Sequence, residues 1–383
     1  MTHPLDGLRV LDLARVVAGP FAGRMLSDLG ADVVKVEPPD GDVTRVWGED
    51  RHGLSGFYTQ QNAGKRNVCI DLKAPGGPEL VRRLATTADV LIENFRAGVL
   101  DRLGLGYATL SADNPRLVML SVTGFGQTGP DAGRQAYAPV IHAESGLIAR
   151  QAAFDGRPSD PMLSIADTNA ALHGLAAVLA ALYLRERTGR GQHIDIAMFD
   201  AMVATDDYAH HALDESPIRR LGGEVWEAPG GPLLIAGEFR NTWRCLKGAP
   251  GMVDPSPEGA DLETKIRCRR EATATWLLGF TSRDEAKRAL EAADLAWAEV
   301  ASPYDAVRSP TASARGVVAE VDDRGGGLRR VVQSPYRFSD AQSGVRGPAP
   351  RRGEHNAEVL GEWLGLGTDD INRLVANGVL HVE

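Results

Sequence analysis

Short apolar runs alternate with helical patterns through the first half of the chain. Arg9–Leu13 (RVLDL) has the density of a buried strand, and Gly19-Pro20 then opens a loop into a helix expected over Phe21–Leu29, which Gly30 stops. Ala31–Val36 predicts a second strand closed by Pro38-Pro39, and Asn67–Leu72 a third that leads to a helix over Pro78–Ala85. Asp89–Glu93 and Leu117–Val122 continue the series. Strands alternating with helices at this spacing predict an α/β protein built on a parallel, doubly wound sheet.

The strongest helical signal begins at Asp167, where Leu172, Leu175, Leu179 and Leu182 recur at three- and four-residue steps. Asp167 falls at the expected N-cap, Arg185 and Arg187 lie in the last turn, and Gly189 follows as a C-terminal stop. Gln192–Ile196 predicts one more strand. From Tyr208 to Glu227 the periodicity fades into a connector, and Pro229–Gly237 has the form of a hairpin entering a second domain. The expected boundaries are a large domain over 1–205 rejoined by 345–383, a linker over 206–225, and a small domain with its return segment over 226–344.

Length and composition narrow the class without naming a chemistry. At 383 residues the chain is long enough for two domains, and 43% hydrophobic and 24% charged residues are ordinary for a globular protein. A formal net charge of −9 argues against a general nucleic-acid binder, which needs a basic surface. No stretch reaches the roughly 20 apolar residues of a membrane span; Leu172–Leu184, the longest, reads as a buried helix. The opening residues lack the layout of a signal peptide. Three scattered cysteines form no CxxC pair and fit a reducing compartment, so a cytoplasmic protein without a membrane partner is expected.

Gly124–Gly129 (GFGQTG) has dinucleotide-motif spacing, but Pro130–Gly133 continue a loop where that motif needs a helix. Lys65, Arg66 and Lys73 surround a short strand and could meet phosphates, as could Glu93-Asn94-Phe95-Arg96 with its aromatic and cation. The histidines show no metal-binding spacing, so no metal site is expected, and no Gly-x-Ser-x-Gly elbow is present. Asp167 alone remains as a candidate nucleophile: capping explains it better on physical grounds alone, and the compatible functional reading is that the same helix terminus keeps its carboxylate ionised for attack on an acyl carbon.

The ordered motifs Pro4–Leu13, Val17-Ala18-Gly19-Pro20, Gly30–Glu37, Asn62–Arg66, Glu93–Arg96, Asn114–Leu117, Gly124–Pro130, Asp167-Thr168-Asn169, Arg187–Gln192 and Gly353-Glu354-His355 resemble those of family III CoA-transferases (CaiB/BaiF family). The resemblance implies a Rossmann-like large domain that binds CoA, a smaller α+β domain, and an interlocked homodimer. It implies a CoA-transferase acting between an acyl-CoA and a carboxylic acid through an aspartyl intermediate at Asp167, with coenzyme A as cosubstrate and no permanently bound cofactor. Carried over by position, the CoA site falls on Val17, Ala18, Ile70, Asp71, Leu72, Lys73, Asn94, Phe95, Arg96, Arg102, Gln135, Ala136, Tyr137 and Ala138. Pro38 stands where some members have an arginine, and no glycine-rich lid is evident beyond Gly230-Gly231. The same family contains α-methylacyl-CoA racemases. Tyr137 occupies the position of their catalytic histidine, with His142 five residues on, which favours transfer over racemisation. A non-catalytic CoA-binding paralogue is the other alternative.

Overall fold

The computed structural model describes residues 2–217 and 222–382. Six parallel strands form the main sheet: β1 (Arg9–Asp12), β2 (Asp32–Glu37), β3 (Arg66–Cys69), β4 (Val90–Glu93), β5 (Val118–Thr123) and β6 (His193–Ala197). Their spatial order is β3-β2-β1-β4-β5-β6, every neighbouring pair parallel. The order reverses between β1 and β4. In open sheets of this kind the loops at the carboxyl ends of the two strands diverge at that point and leave a crevice.

Five of the strands are short and almost entirely buried, which is why the sequence reads there as continuous apolar runs, whereas β6 at the sheet edge is only partly buried, with His193 and Asp195 exposed. Helix α1 (Ala18–Asp28) starts three residues earlier than expected and ends before Gly30, whose φ is +111°. Helix α2 (Gly77–Thr87) covers the other face. Two shorter helices, α3 (Ala138–Glu144) and α4 (Leu147–Asp155), precede α5 (Ile165–Thr188).

Helix α5 differs from its prediction in three ways. It is 24 residues long and, among the described residues, the one helix long and apolar enough to cross a membrane. Its sheet-facing stripe is made of small residues, Ala170, Gly174, Val178 and Ala181, with Leu175 and Leu182, whereas Leu172 is 45% exposed. Small residues win because the helix lies close on β5; a Cβ on Gly174 would sit 2.9 Å from Leu120 Cδ2. Finally, Ser164 is the N-cap and Asp167 the third helical residue, because the Ala166 N–H finds an acceptor in His142 and the Thr168 N–H in the Ser164 carbonyl.

By its contacts the chain divides into two compact units, 1–207 with 315–383, and 208–314. The return to the large unit at Arg315 comes earlier than the expected Gly344–His355 stretch. The hairpin of β10 (Val318–Asp322) and β11 (Leu328–Val332) is bound to the large unit: Arg329 donates to the carbonyls of Leu54 and Glu49, and Arg24 to that of Val332. Helix α6 (Asn356–Leu364) then packs on β3, and Ile70 bridges Leu380. The small unit has an antiparallel sheet of β7 (Glu224–Trp226), β8 (Leu233–Ile235) and β9 (Trp297–Glu299) around a core that includes Trp226, Trp243, Leu277 and Leu290. Residues 218–221 of the expected connector lie outside the described residues.

Candidate active site

The β1–α1 loop is clamped at every residue. Asp12 accepts from the Ala14 N–H, Lys35 Nζ donates to the Ala14 carbonyl at 2.7 Å, and Asp42 accepts from the Val16 N–H. Asn94, at the carboxyl end of β4, accepts from the Arg15 N–H and donates to its carbonyl, both at 2.8 Å. That double bond stitches together the two loops that flank the point of strand reversal. Val16 is held at φ +70°, a conformation costing a β-branched residue about 1–3 kcal/mol.

The clamp is made of buried charge. Lys35–Asp42 (3.1 Å) and Lys65–Asp12 (2.8 Å) have no exposed side-chain surface. Burial by itself pushes the Lys35 ammonium down, but Asp42, Asp12 and Glu37 outweigh it and the net shift is upward. For Lys65 burial wins, and the ammonium is brought down to about 8 despite Asp12. Lys65 and Arg66 are therefore not available to phosphates: Lys65 also donates to the Pro20 carbonyl and Asn62, and Arg66 is taken by Asp32, Glu358 and Glu362.

Beside this loop a cavity of about 350 Å³ opens at the carboxyl ends of β1 to β4. Six of the expected site residues, Ile70, Asp71, Leu72, Lys73, Phe95 and Arg102, are among its lining, together with Arg15, which sequence reasoning did not single out. The Arg15 guanidinium makes no hydrogen bond or ion pair among the described residues, and its Nε is buried without an acceptor. Lys73 and Arg102 are likewise outside the ion pairs among the described residues, such as those that hold Arg66 and Arg82. An unpaired cation beside a cleft favours an anionic ligand.

The remaining expected residues converge on the same edge. Val17 and Ala18 are buried at the start of α1, whose first turn has no side-chain cap. Its unpartnered N–H groups are donors for an anion. Gly19 is required there, since a Cβ would lie 2.0 Å from that of Ala14. Arg96 donates to Gln135 Oε1 at 2.6 Å, bringing Gln135–Ala138 beside Asn94–Arg96. Ala136 packs under Gly124, Ala138 is buried, and Tyr137 is 54% exposed. Glu93 is buried with its Oε2 accepting from the Phe95 N–H, which shapes the turn; burial lifts its carboxyl to about 7.

Helix α5 leads back into β6 at the opposite edge of the sheet, so its amino end, with Asp167, stands at the carboxyl edge. The Asp167 carboxyl is mostly buried and accepts no hydrogen bond among the described residues. Burial lifts it to about 6. The expectation was that the helix terminus keeps it ionised; burial instead shifts it toward the neutral form.

Sheet order and crevice together define a doubly wound α/β protein whose strand-reversal point carries a cleft lined by Arg15, Lys73 and Arg102. The chain belongs to the CoA-transferases of family III, whose sequence model matches residues 5–356. It is 36% identical to the succinate–glutarate CoA-transferase of Agrobacterium fabrum over 94% of this chain and 95% of that one. It is 33% identical to the formyl-CoA:oxalate CoA-transferase of Streptomyces avermitilis, covering 99% and 100%. A CAIB/BAIF family protein from Brucella suis superposes with a TM-score of 0.83 at 34% identity, covering 95% and 100%. Enzymes of this family use CoA as cosubstrate.

Proposed function

We propose that the chain transfers CoA from an acyl-CoA to a free carboxylic acid with Asp167 as transient carrier. The observation that carries this is a carboxyl with no hydrogen bond of its own, lifted to about 6, at the carboxyl edge of the sheet. Above that pH it is ionised yet poorly solvated, the state in which a carboxylate attacks carbonyl carbon best. An Asp167 oxygen adds to the donor thioester carbonyl and expels CoA thiolate, leaving a mixed anhydride. The thiolate attacks the aspartyl carbonyl, releases the donor acid as carboxylate and leaves an aspartyl thioester. The acceptor carboxylate displaces the thiolate to form a second anhydride. The thiolate then attacks the acceptor acyl carbon, giving the new thioester and free Asp167. No net proton is consumed.

CoA would lie along the cavity, its phosphates met by Lys73, Arg102 and Arg15 and its thiol end near Val17 and Ala18, with Phe95 against the base. The rigid β1–α1 loop and the uncapped start of α1 would supply N–H donors to the oxyanion of each step. Several relatives are named for succinate or succinyl-CoA with a second dicarboxylic acid, among them glutarate, mesaconate and L-malate. We therefore favour succinyl-CoA and a C4–C5 dicarboxylic acid as the pair. The family resemblance further supports an interlocked homodimer in the cytoplasm. His142, which accepts from the Ala166 N–H beside Asp167, is wholly buried with both ring nitrogens occupied, which disfavours racemisation.

The test is a panel of acyl-CoA donors and acids, with hydroxylamine added and the protein then mapped by mass spectrometry. An Asp167 hydroxamate that appears only with an acyl-CoA is expected. Turnover with Asp167 never labelled, or full turnover by Asp167→Asn, would end the proposal.

A further inference from the structure

His142 takes no part in the steps above, yet it is wholly buried beside the residue that does. The Ala166 N–H donates to its Nε2 at 3.2 Å, and its Nδ1 lies 2.8 Å from Asp160 Oδ1. A backbone N–H can only donate, so Nε2 is the acceptor, and Nδ1 carries the proton and gives it to Asp160. Geometry alone fixes the tautomer.

Ala166 and Asp167 are the second and third residues of α5. The first N–H groups of a helix have no partner within it, and Ser164 at the N-cap offers no side-chain acceptor. The imidazole supplies that acceptor from another helix, α3, and Asp160 ties it to the segment entering α5. The arrangement matters because the Asp167 carboxylate has no hydrogen bond to orient it. Its backbone must aim it, and His142 holds the Ile165–Ala166 peptide, one peptide before the one that carries the Asp167 nitrogen.

We propose that His142, kept in its Nδ1–H tautomer by Asp160, is the positioning residue of Asp167, fixing the first turn of α5 so that the carboxylate meets the acyl carbon. It is not a catalytic residue, since both nitrogens are occupied within the protein. The inference rests on the assignment of Asp167 as carrier.

The experiment compares three substitutions at 142 using whichever donor and acid the wild type turns over fastest in the panel. Glutamine can place its amide oxygen where Nε2 stands; asparagine reaches only as far as Nδ1; leucine fills the space with no acceptor. Since small misplacements of reacting groups cost about 10²-fold, His142→Leu and His142→Asn should lose ~10–100-fold in kcat with the acyl-CoA KM within about twofold. His142→Gln should stay within about threefold of wild type. Asp160→Ala, at a carboxylate 41% exposed and so safe for folding, should lose ~3–10-fold in kcat alone. Should the leucine variant fail to fold, the asparagine and Asp160 variants carry the test. Wild-type kcat in His142→Leu, glutamine no better than leucine, or losses carried by KM would each overturn the proposal. Asp167→Asn assayed alongside separates the two claims: its full activity defeats the carrier, whereas its inactivity beside an unimpaired His142→Leu defeats only the positioning role.

Discussion

Replacing Asp167 by asparagine keeps the shape of the side chain and deletes its charge, and should make the protein more stable as it makes it inert. Burial lifts the carboxyl from 3.8 to about 6. At about 1.4 kcal/mol for each pH unit, the folded state holds that charge at a penalty of at most ~3 kcal/mol, nearer ~2 once residual solvent contact is allowed for. The folded protein binds the proton more tightly than the unfolded chain. The favourable contribution is therefore complete below 3.8 and is lost as pH rises through about 6. At pH 8 the wild type bears the whole penalty and the asparagine variant none of it, a gain of roughly 2 kcal/mol or about 3–5 °C in Tm. Near pH 4 the gap should close. Scanning calorimetry of both proteins at pH 4, 6 and 8 reads this directly, with exchange assays confirming a loss of at least about 10³-fold. A variant no more stable at pH 8, or equally stabilised at pH 4, would refute the claim that a desolvated charge sits at this position. In the wild type the attacking form is the ionised one, so exchange should fall about tenfold per pH unit below about 6.

Arg15→Ala should raise the acyl-CoA KM by about 10–100-fold with kcat little changed, since a charge-assisted contact to phosphate contributes ~1.5–3 kcal/mol; steady-state kinetics with an unchanged KM would remove Arg15 from the CoA site. The control is Arg66→Ala, whose guanidinium is already held by three carboxylates and which should leave KM unchanged. Lys65→Met strands Asp12 in the core, and urea unfolding should show a loss of about 3–5 kcal/mol, against which a stability within 1 kcal/mol of wild type would count decisively.

Five of the main-sheet strands were legible because both of their faces are buried, so that an apolar run is enough; β6, only partly buried at the sheet edge, shows instead as alternation, and all six fall within three residues of their expected ends. Helix starts were less so. Asp167 was read as an N-cap because residue type is the only local cue to a cap, and the true acceptor, His142, arrives from a different helix through tertiary structure. Leu172 was assigned to the buried stripe because hydrophobicity scales reward leucine, yet close packing on β5 selected Ala170 and Gly174. Lys65 and Arg66 show the same limit in charge: a cation near a strand end looks identical in sequence whether it meets a ligand or a carboxylate 53 or 34 residues away. Arg15 failed the other way, since nothing marks an arginine in an apolar loop as unpaired until the neighbouring carboxylates are seen to be taken.

That division of cations explains how an acidic chain can hold a polyanion. Two lysines are sacrificed to the interior, where Asp12 and Asp42 need them, and the pairs they form hold Val16 in a conformation it would otherwise leave. Buried ion pairs add little net stability because desolvation offsets their attraction. Their contribution here is geometric: bonds from Asp12, Lys35, Asp42 and Asn94 leave the β1–α1 loop one backbone course, and along that course Arg15 stays on the cavity wall while the first turn of α1 stays open. Were the loop held only by apolar contacts, strain at Val16 of about 1–3 kcal/mol would favour relaxation to negative φ and carry the Arg15 backbone away from Asn94. The ligand site and the buried charges are thus one structure, and loosening either pair should be felt at the cavity before it is felt by the sheet.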